Sequence, residues 1–235
     1  MPGADVLRNR RTKLTSFARN DAGVGVVEFA LFLPIILLLL LMGFDVYRFV
    51  VATQRIEEVA NTVAEMLAQT AGSSSAILAN DGTVADADLQ FYWDSSIFIY
   101  PDVTAVAQAQ GIPWSTLLVV NMTSINFVAT PSGCTSSCSY VPKVVWTTNN
   151  YRPCASTINK VSDTTSPSPS TLPKDVFGSG SLLVVDVTYT WQPTFGANYL
   201  PSIPIVRSSY IAPRNVNIVE AASGDTLTSN CSGVL

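Results

Sequence analysis

The sequence predicts an α+β protein, in which a long N-terminal helix precedes an antiparallel β-sheet domain. Three observations support this fold class. Residues 24–44 form an apolar run of 21 residues in which Glu28 is the only charge. Beyond that run, apolar residues recur at helical spacing. Nearer the C-terminus they alternate with a period of two, which is typical of strands.

Residues 24–44 are long enough to cross a membrane, since a transmembrane helix needs about 20 apolar residues. Residues 1–23 carry five Lys/Arg against two Asp, whereas eight Lys/Arg and fourteen Asp/Glu follow residue 44. Because clustered Lys/Arg stays in the cytoplasm, this asymmetry predicts a cytoplasmic leader at 1–23 and an exported remainder. The exported part is acidic, so we expect no nucleic-acid partner.

The start of the apolar run carries a specific motif. Gly23 precedes Glu28 by five residues, Phe29 follows the glutamate, and Pro34 comes before the leucines. This segment resembles the TadE/TadG-like minor pilins of the tight-adherence (Flp) pilus. The resemblance covers about 30 residues. It implies that a prepilin peptidase cuts the bond between Gly23 and Val24, which makes Glu28 the fifth residue of the mature chain.

The resemblance also implies a location, partners and a function. The chain would lie in the bacterial inner membrane, with its C-terminal domain in the periplasm or outside the cell. Its partners would be the membrane, the prepilin peptidase, other pilus subunits and the inner-membrane assembly platform. Its function would be assembly of a pilus that supports adhesion and biofilm formation.

Elementary chemistry suggests roles for the motif residues. Cleavage would create an ammonium group at Val24, which could pair with Glu28 of a neighbouring subunit and set the assembly register together with Phe29. Pro34 cannot donate a hydrogen bond to the Ala30 carbonyl, so we expect a kink or loosening of the helix there.

Two other interpretations of the N-terminus remain open. A plain signal-anchor would have the same span and basic flank, with Glu28 reaching toward the headgroups. A cleaved secretory signal could use the small residues at 50–52. The corresponding alternative function is a membrane-anchored exported binding or sensor domain that does not polymerise.

The helix should continue beyond the membrane as an amphipathic segment at 45–71, with its end near Gln69. Its predicted apolar stripe comprises Phe49, Val50, Ile56, Val59, Ala60, Val63, Met66 and Leu67. An exported β-rich domain at 72–235 should follow, although 72–115 shows no clear pattern. Strands are predicted at 117–128, 141–148 and 181–191, with a further C-terminal pair at 205–211 and 216–221. The Ser/Pro-rich segment 162–173 is predicted to be a flexible loop.

The four cysteines all follow the predicted span, where an oxidising compartment favours disulfides. Four cysteines allow three pairings. Cys134 and Cys138 flank three residues in a predicted hairpin loop, so a local bridge is reasonable there, and Cys154 would then pair with Cys231. A zinc site made of four thiolates is the less favoured alternative.

The sequence offers little enzymatic chemistry. It has no histidine, which excludes Ser-His-Asp and Cys-His catalysis. Residues 186–190 superficially resemble the metal site of von Willebrand A-type domains, but we interpret Asp186 as part of the polar face of a strand. The acidic residues at 80–88 fit no EF-hand spacing and are interpreted as a solvated turn. We therefore predict no enzyme activity, no metal and no cofactor.

Overall fold

The computed structural model describes residues 22–72, 80–154, 156–195, 197 and 200–231. The chain divides into two compact units, Met1–Arg48 and Phe49–Leu235, and the boundary lies within the first helix. We call the second of them the sheet unit. The predicted class is confirmed, because a long N-terminal apolar helix precedes an antiparallel five-stranded sheet.

Helix α1 (Ala22–Ala68) is continuous over 47 residues. In its second half the predicted stripe is buried at Ile56, Val59 and Val63, all at 0% exposure. Val50 was expected in this stripe and is instead 48% exposed. It precedes the buried Ala52 by two residues, and two helical steps place the two side chains on nearly opposite faces.

Helices α2 (Asp86–Ile99), α3 (Asp102–Gln110) and α4 (Trp114–Leu117) occupy the region that the sequence left unassigned. The N-terminus of α2 is stabilised by Asp88, whose carboxylate accepts a hydrogen bond from the Ala85 N–H at 3.1 Å. Gly111 ends α3 in the left-handed conformation, at φ 67°, which glycine adopts without strain. These helices make the segment after residue 72 less purely β than predicted.

The strands are, in chain order, β1 (Gly82–Val84), β2 (Leu118–Thr130), β3 (Ser139–Thr148), β4 (Asn159–Val161), β5 (Thr171–Pro173), β6 (Gly180–Trp191), β7 (Ile203–Ile211), β8 (Val219–Ala221) and β9 (Thr228–Asn230). The main sheet has the order β7-β6-β2-β3-β9, and every neighbouring pair in it is antiparallel. The strands predicted at 117–128, 141–148 and 181–191 correspond to β2, β3 and β6.

Strand β6 is buried on both faces. Leu183, Val185 and Val187 belong to the larger core, which also contains the buried stripe of α1. Leu182 and Val184 belong to a second core on the other face of the sheet. The face that the sequence marked as more polar is therefore buried as well, because the segment around β4 and β5 covers it with Ile158 and Leu172.

In the C-terminal half two predictions are wrong and one strand was missed. The predicted partner of β7 is the short β8, which instead pairs in parallel with β1. The Asp81 carboxylate holds β8 there by accepting a hydrogen bond from the Ile218 N–H at 3.1 Å. Strand β9 was not predicted and pairs with β3. Finally, part of the supposed flexible loop is β5, which pairs with β4 and buries Leu172 completely.

Candidate assembly site at the start of helix α1

The first half of α1 exposes its apolar side chains. From Val26 to Leu40 the large apolar residues are 45–68% exposed. The most hydrophobic stretch of 18 residues has a mean hydropathy of 2.7, and by length and composition the helix is able to cross a membrane. A helix that satisfies its backbone internally and presents apolar side chains outward meets the requirements of a hydrocarbon environment.

Glu28 lies one turn into this apolar surface, and its side chain is exposed. The neighbours on its face, three and four residues away in the sequence, are Val24, Gly25, Leu31 and Phe32, none of which is polar. Among the described residues no ion pair includes Glu28. A carboxylate in a transmembrane helix costs about 2.5–3.5 kcal/mol at the centre of the span and less near its end. Glu28 thus presents a charge for which the helix itself supplies no counter-charge.

The predicted cleavage bond between Gly23 and Val24 lies in the first turn of α1. Their side chains are outside the described residues, and so is the leader up to Asp21. The backbone alone fixes one relation. Val24 and Glu28 are four residues apart, which places them on the same helix face and about 6 Å apart along the axis. Phe29 follows on the adjacent face and is 61% exposed.

Pro34 lies inside α1, and the helix continues through it. Pro34 has no N–H to donate to the carbonyl of Ala30, so one backbone hydrogen bond is missing at this turn. The predicted kink or loosening at Pro34 stays a prediction.

Both predicted disulfides are present. Cys134 and Cys138 are bonded in the turn between β2 and β3, with 5.7 Å between their Cα atoms. Cys154 is bonded to Cys231, with 5.3 Å between the Cα atoms, and this bond connects the segment after β3 to the residue after β9. No cysteine of the chain is free, so the zinc alternative does not apply to this structure.

Sequence reasoning missed a buried ion pair on β6. The Arg152 guanidinium donates two hydrogen bonds to the Asp186 carboxylate, at 2.8 Å and 3.0 Å, and both residues are fully buried. Ser208 also donates to this carboxylate. The third guanidinium nitrogen, Nη1, donates to the backbone carbonyls of Pro169 and Thr171. The pair therefore fastens the 162–173 segment to the sheet.

The electrostatics of this pair affect its neighbours. Burial alone would lower the pKa of Arg152, but the hydrogen bonds and charge of Asp186 outweigh it, and the pKa of Arg152 is raised. Burial also raises the pKa of Tyr151 and of Tyr210, and the negative charge of Asp186 adds to both shifts. One signal could have revealed the pair: a lone carboxylate in an otherwise buried strand requires a cationic partner.

The acidic residues at 80–88 bind backbone N–H groups. Asp86 accepts hydrogen bonds from Thr226 and from the Leu227 N–H, and the Thr226 backbone N–H is the main reason that the pKa of Asp86 is lowered. Asp81 is 1% exposed, so the prediction of a solvated turn is wrong there. Within the part of the chain that the structure describes, no group of three or more His, Cys, Asp or Glu side chains could hold a metal.

These features define an α+β protein with a candidate membrane span at its start and a disulfide-bonded sheet unit. Residues 23–65 match the family model described as TadE-like protein. The match begins at the glycine of the predicted cleavage bond and extends through the apolar run into the buried stripe of α1. This agrees with the resemblance that the motif residues carry. In comparisons with curated proteins and with solved structures, nothing matches the chain significantly.

Proposed function

We propose that this chain is a minor pilin that takes part in the assembly of a tight-adherence pilus, and that its role is structural rather than catalytic. The observation that carries the proposal is the TadE-like match at residues 23–65, which begins at Gly23 and covers the exposed apolar half of α1. In this proposal the helix anchors the chain in the bacterial inner membrane. The leader faces the cytoplasm, and the sheet unit lies in the periplasm or on the pilus.

The proposed sequence of events begins with a prepilin peptidase, which hydrolyses the bond between Gly23 and Val24. The new ammonium of Val24 then lies at a helix N-terminus, where the helix dipole disfavours positive charge. A carboxylate one turn further along the same face can offset this effect. Glu28 is the only acidic residue between 24 and 44 that can supply one.

The pairing that promotes assembly is between subunits. When helices pack in an apolar bundle, the Val24 ammonium of one subunit and the Glu28 carboxylate of its neighbour enter a medium of low dielectric together. A buried charge without a partner costs several kcal/mol, so only the register that pairs the two is favourable. The exposed apolar surface of α1 supplies the packing, and Glu28 selects the register. The resulting pilus would support adhesion and biofilm formation.

The test separates anchoring from assembly. In Glu28→Ala and Glu28→Gln the apolar span and Gly23 are unchanged, so cleavage and membrane anchoring should persist. Assembly should fall by about a hundredfold or more, because a buried unpaired ammonium costs roughly 3–5 kcal/mol. Glu57→Gln is a matched control, since Glu57 is an exposed carboxylate further along α1. The measurements are co-purification with other pilus subunits and surface adherence, each normalised to protein level.

Normal co-purification and adherence in both Glu28 variants would contradict the register role. If the leader is also retained in cells with an active prepilin peptidase, the chain is a membrane-anchored domain that does not polymerise.

A further inference from the structure

Strand β7 forms one edge of the main sheet. It pairs with β6 from Ile203 to Ile211, over nine residues. Among the residues that the structure describes, no strand pairs with the other side of β7. An open edge carries a row of N–H and C=O groups that can accept another extended chain.

A groove of about 310 Å³ runs beside this open edge. It is lined by the first half of β7, at residues 204–207. Phe49 and Thr53 of α1 also line it, together with Ser166 and Pro167. Four strand residues span about 13 Å, which is the length of a short extended peptide segment. The groove therefore lies along a length of β7 that a short added strand could pair with.

A cation lies on this edge. The half-buried Arg207 folds back on its own strand, and its Nη1 atom donates to the Val206 carbonyl at 2.8 Å. A carbonyl that faced β6 would meet the N–H groups of that strand, so we infer that this carbonyl lies on the open side. No ion pair includes Arg207 within the described residues. The Arg207 guanidinium thus covers the open edge, and its charge is not neutralised. Charged side chains on an edge strand are a common protection against unwanted strand pairing.

We propose that this groove binds an extended, carboxylate-bearing segment of a different protein, which adds to the sheet as a strand beside β7. On binding, the Arg207 guanidinium moves from the Val206 carbonyl to the carboxylate of the incoming segment. The freed carbonyl then accepts a ladder hydrogen bond. The N–H and C=O groups of alternate residues face the open side, and Pro204 has no N–H, so the first N–H of the new ladder is that of Val206.

Charge complementarity favours another protein over a second copy of this chain. Full antiparallel pairing of two β7 strands places Arg207 opposite Arg207, and like charges directly opposite each other are destabilising. The other edge of the sheet, formed by β3 and β9, offers no carboxylate. No Asp or Glu occurs between Asp102 and Asp163, and β9 is Thr-Ser-Asn. This proposal does not depend on the pilus role.

The experiment uses the full chain in detergent micelles and three synthetic peptides. The first is acetyl-Thr-Val-Thr-Asp-Thr-Val-Thr-amide, the second has Asn in place of Asp, and the third has Pro in place of both Val. Fluorescence anisotropy gives Kd, and hydrogen exchange reports protection of the β7 amides. The Asp peptide should bind saturably and protect β7. The Asn peptide should bind about tenfold more weakly, because it loses a charge-assisted hydrogen bond, and the Pro peptide should not bind.

A protein variant completes the cycle. Arg207→Gln should raise the Kd of the Asp peptide about tenfold and leave the Kd of the Asn peptide unchanged. Lys143→Gln, which removes an exposed cation on β3, should change neither Kd. Equal Kd values for the Asp and Asn peptides on the unmodified protein would overturn the proposal. So would binding of the Pro peptide, or no binding at all. If the protein alone forms a dimer that protects the β7 amides, the edge belongs to a second copy and the proposal is wrong.

Discussion

The two disulfides close loops of very different length, so removing them should lower stability by different amounts. Cys134 and Cys138 are 4 residues apart, whereas Cys154 and Cys231 are 77 apart. In the chain-entropy model, a disulfide stabilises by restricting the unfolded chain, and its effect grows with the logarithm of loop length. The model gives about 2 kcal/mol for the short loop and about 4.5 kcal/mol for the long one.

The native contacts strengthen this contrast. The short loop lies in an exposed turn, and β2 and β3 pair beside it without its help. The long loop fastens the residue after β9, a strand that pairs with β3 at only three positions. Without the disulfide, residue 231 is still held to β3 by the backbone hydrogen bond from its N–H to the Val145 carbonyl, at 2.8 Å.

The assay compares two double variants of the full chain in detergent micelles, Cys154→Ala/Cys231→Ala and Cys134→Ala/Cys138→Ala. Urea unfolding can be followed by the fluorescence of Trp146, which is fully buried and donates to the Val219 carbonyl at 2.8 Å. We expect the first variant to lose about 2.5 kcal/mol more than the second. Equal losses, or a larger loss from the short loop, would refute the reasoning.

Three further predictions concern the charges of the sheet unit. Asp186→Asn leaves the buried Arg152 guanidinium without its counter-charge, so urea unfolding should show a loss of roughly 3–5 kcal/mol, and replacing both residues by apolar ones should restore much of it. The pKa values of Tyr151 and Tyr210 are raised in the folded state. Their stabilisation is therefore complete below the unfolded pKa of about 10 and is lost as pH rises through the folded values, which urea unfolding from pH 8 to 11.5 should show. The pKa of Asp86 is lowered, so its contribution is present above the unfolded pKa of about 4 and is lost as pH falls through the folded value; Asp86→Asn should flatten the acid side of the stability profile.

The long elements of the fold are predictable from the sequence because their patterns are strong. The apolar run and the stripe that follows it predict α1, and the alternation from Leu183 to Trp191 predicts β6. The bond between Cys134 and Cys138 was also predictable as one of three possible pairings, because the two cysteines flank a short segment that a local turn can close.

Other features depend on tertiary contacts that leave little trace in the local sequence. Strands β8 and β9 have three residues each, too few for a period to be visible. Strand β5 follows a Ser/Pro-rich stretch that is typical of loops, and it is ordered by β4, by the burial of Leu172 and by the hydrogen bond from Arg152 to the Thr171 carbonyl. The ion pair on β6 joins residues 34 positions apart, and no local pattern connects them.

The candidate site, in contrast, was found from the sequence, and the structure adds little to it. Gly23, Glu28 and Pro34 were identified entirely from their spacing and from the family that the spacing resembles. The structure adds that the segment is helical from Ala22 and that Glu28 is exposed among apolar side chains. The partner that we propose for Glu28 lies on another subunit, so a single chain does not contain it.

The N-terminal mass of the protein purified from membranes tests the central claim most directly. In cells with an active prepilin peptidase, the account predicts a chain that begins at Val24 and lacks the 23 leader residues with their five basic side chains. Gly23→Arg should keep the leader, whereas Gly25→Ala, which leaves Gly23 and Glu28 unchanged, should be processed normally. A chain that begins at Met1 or Pro2 in those cells would contradict the pilin account.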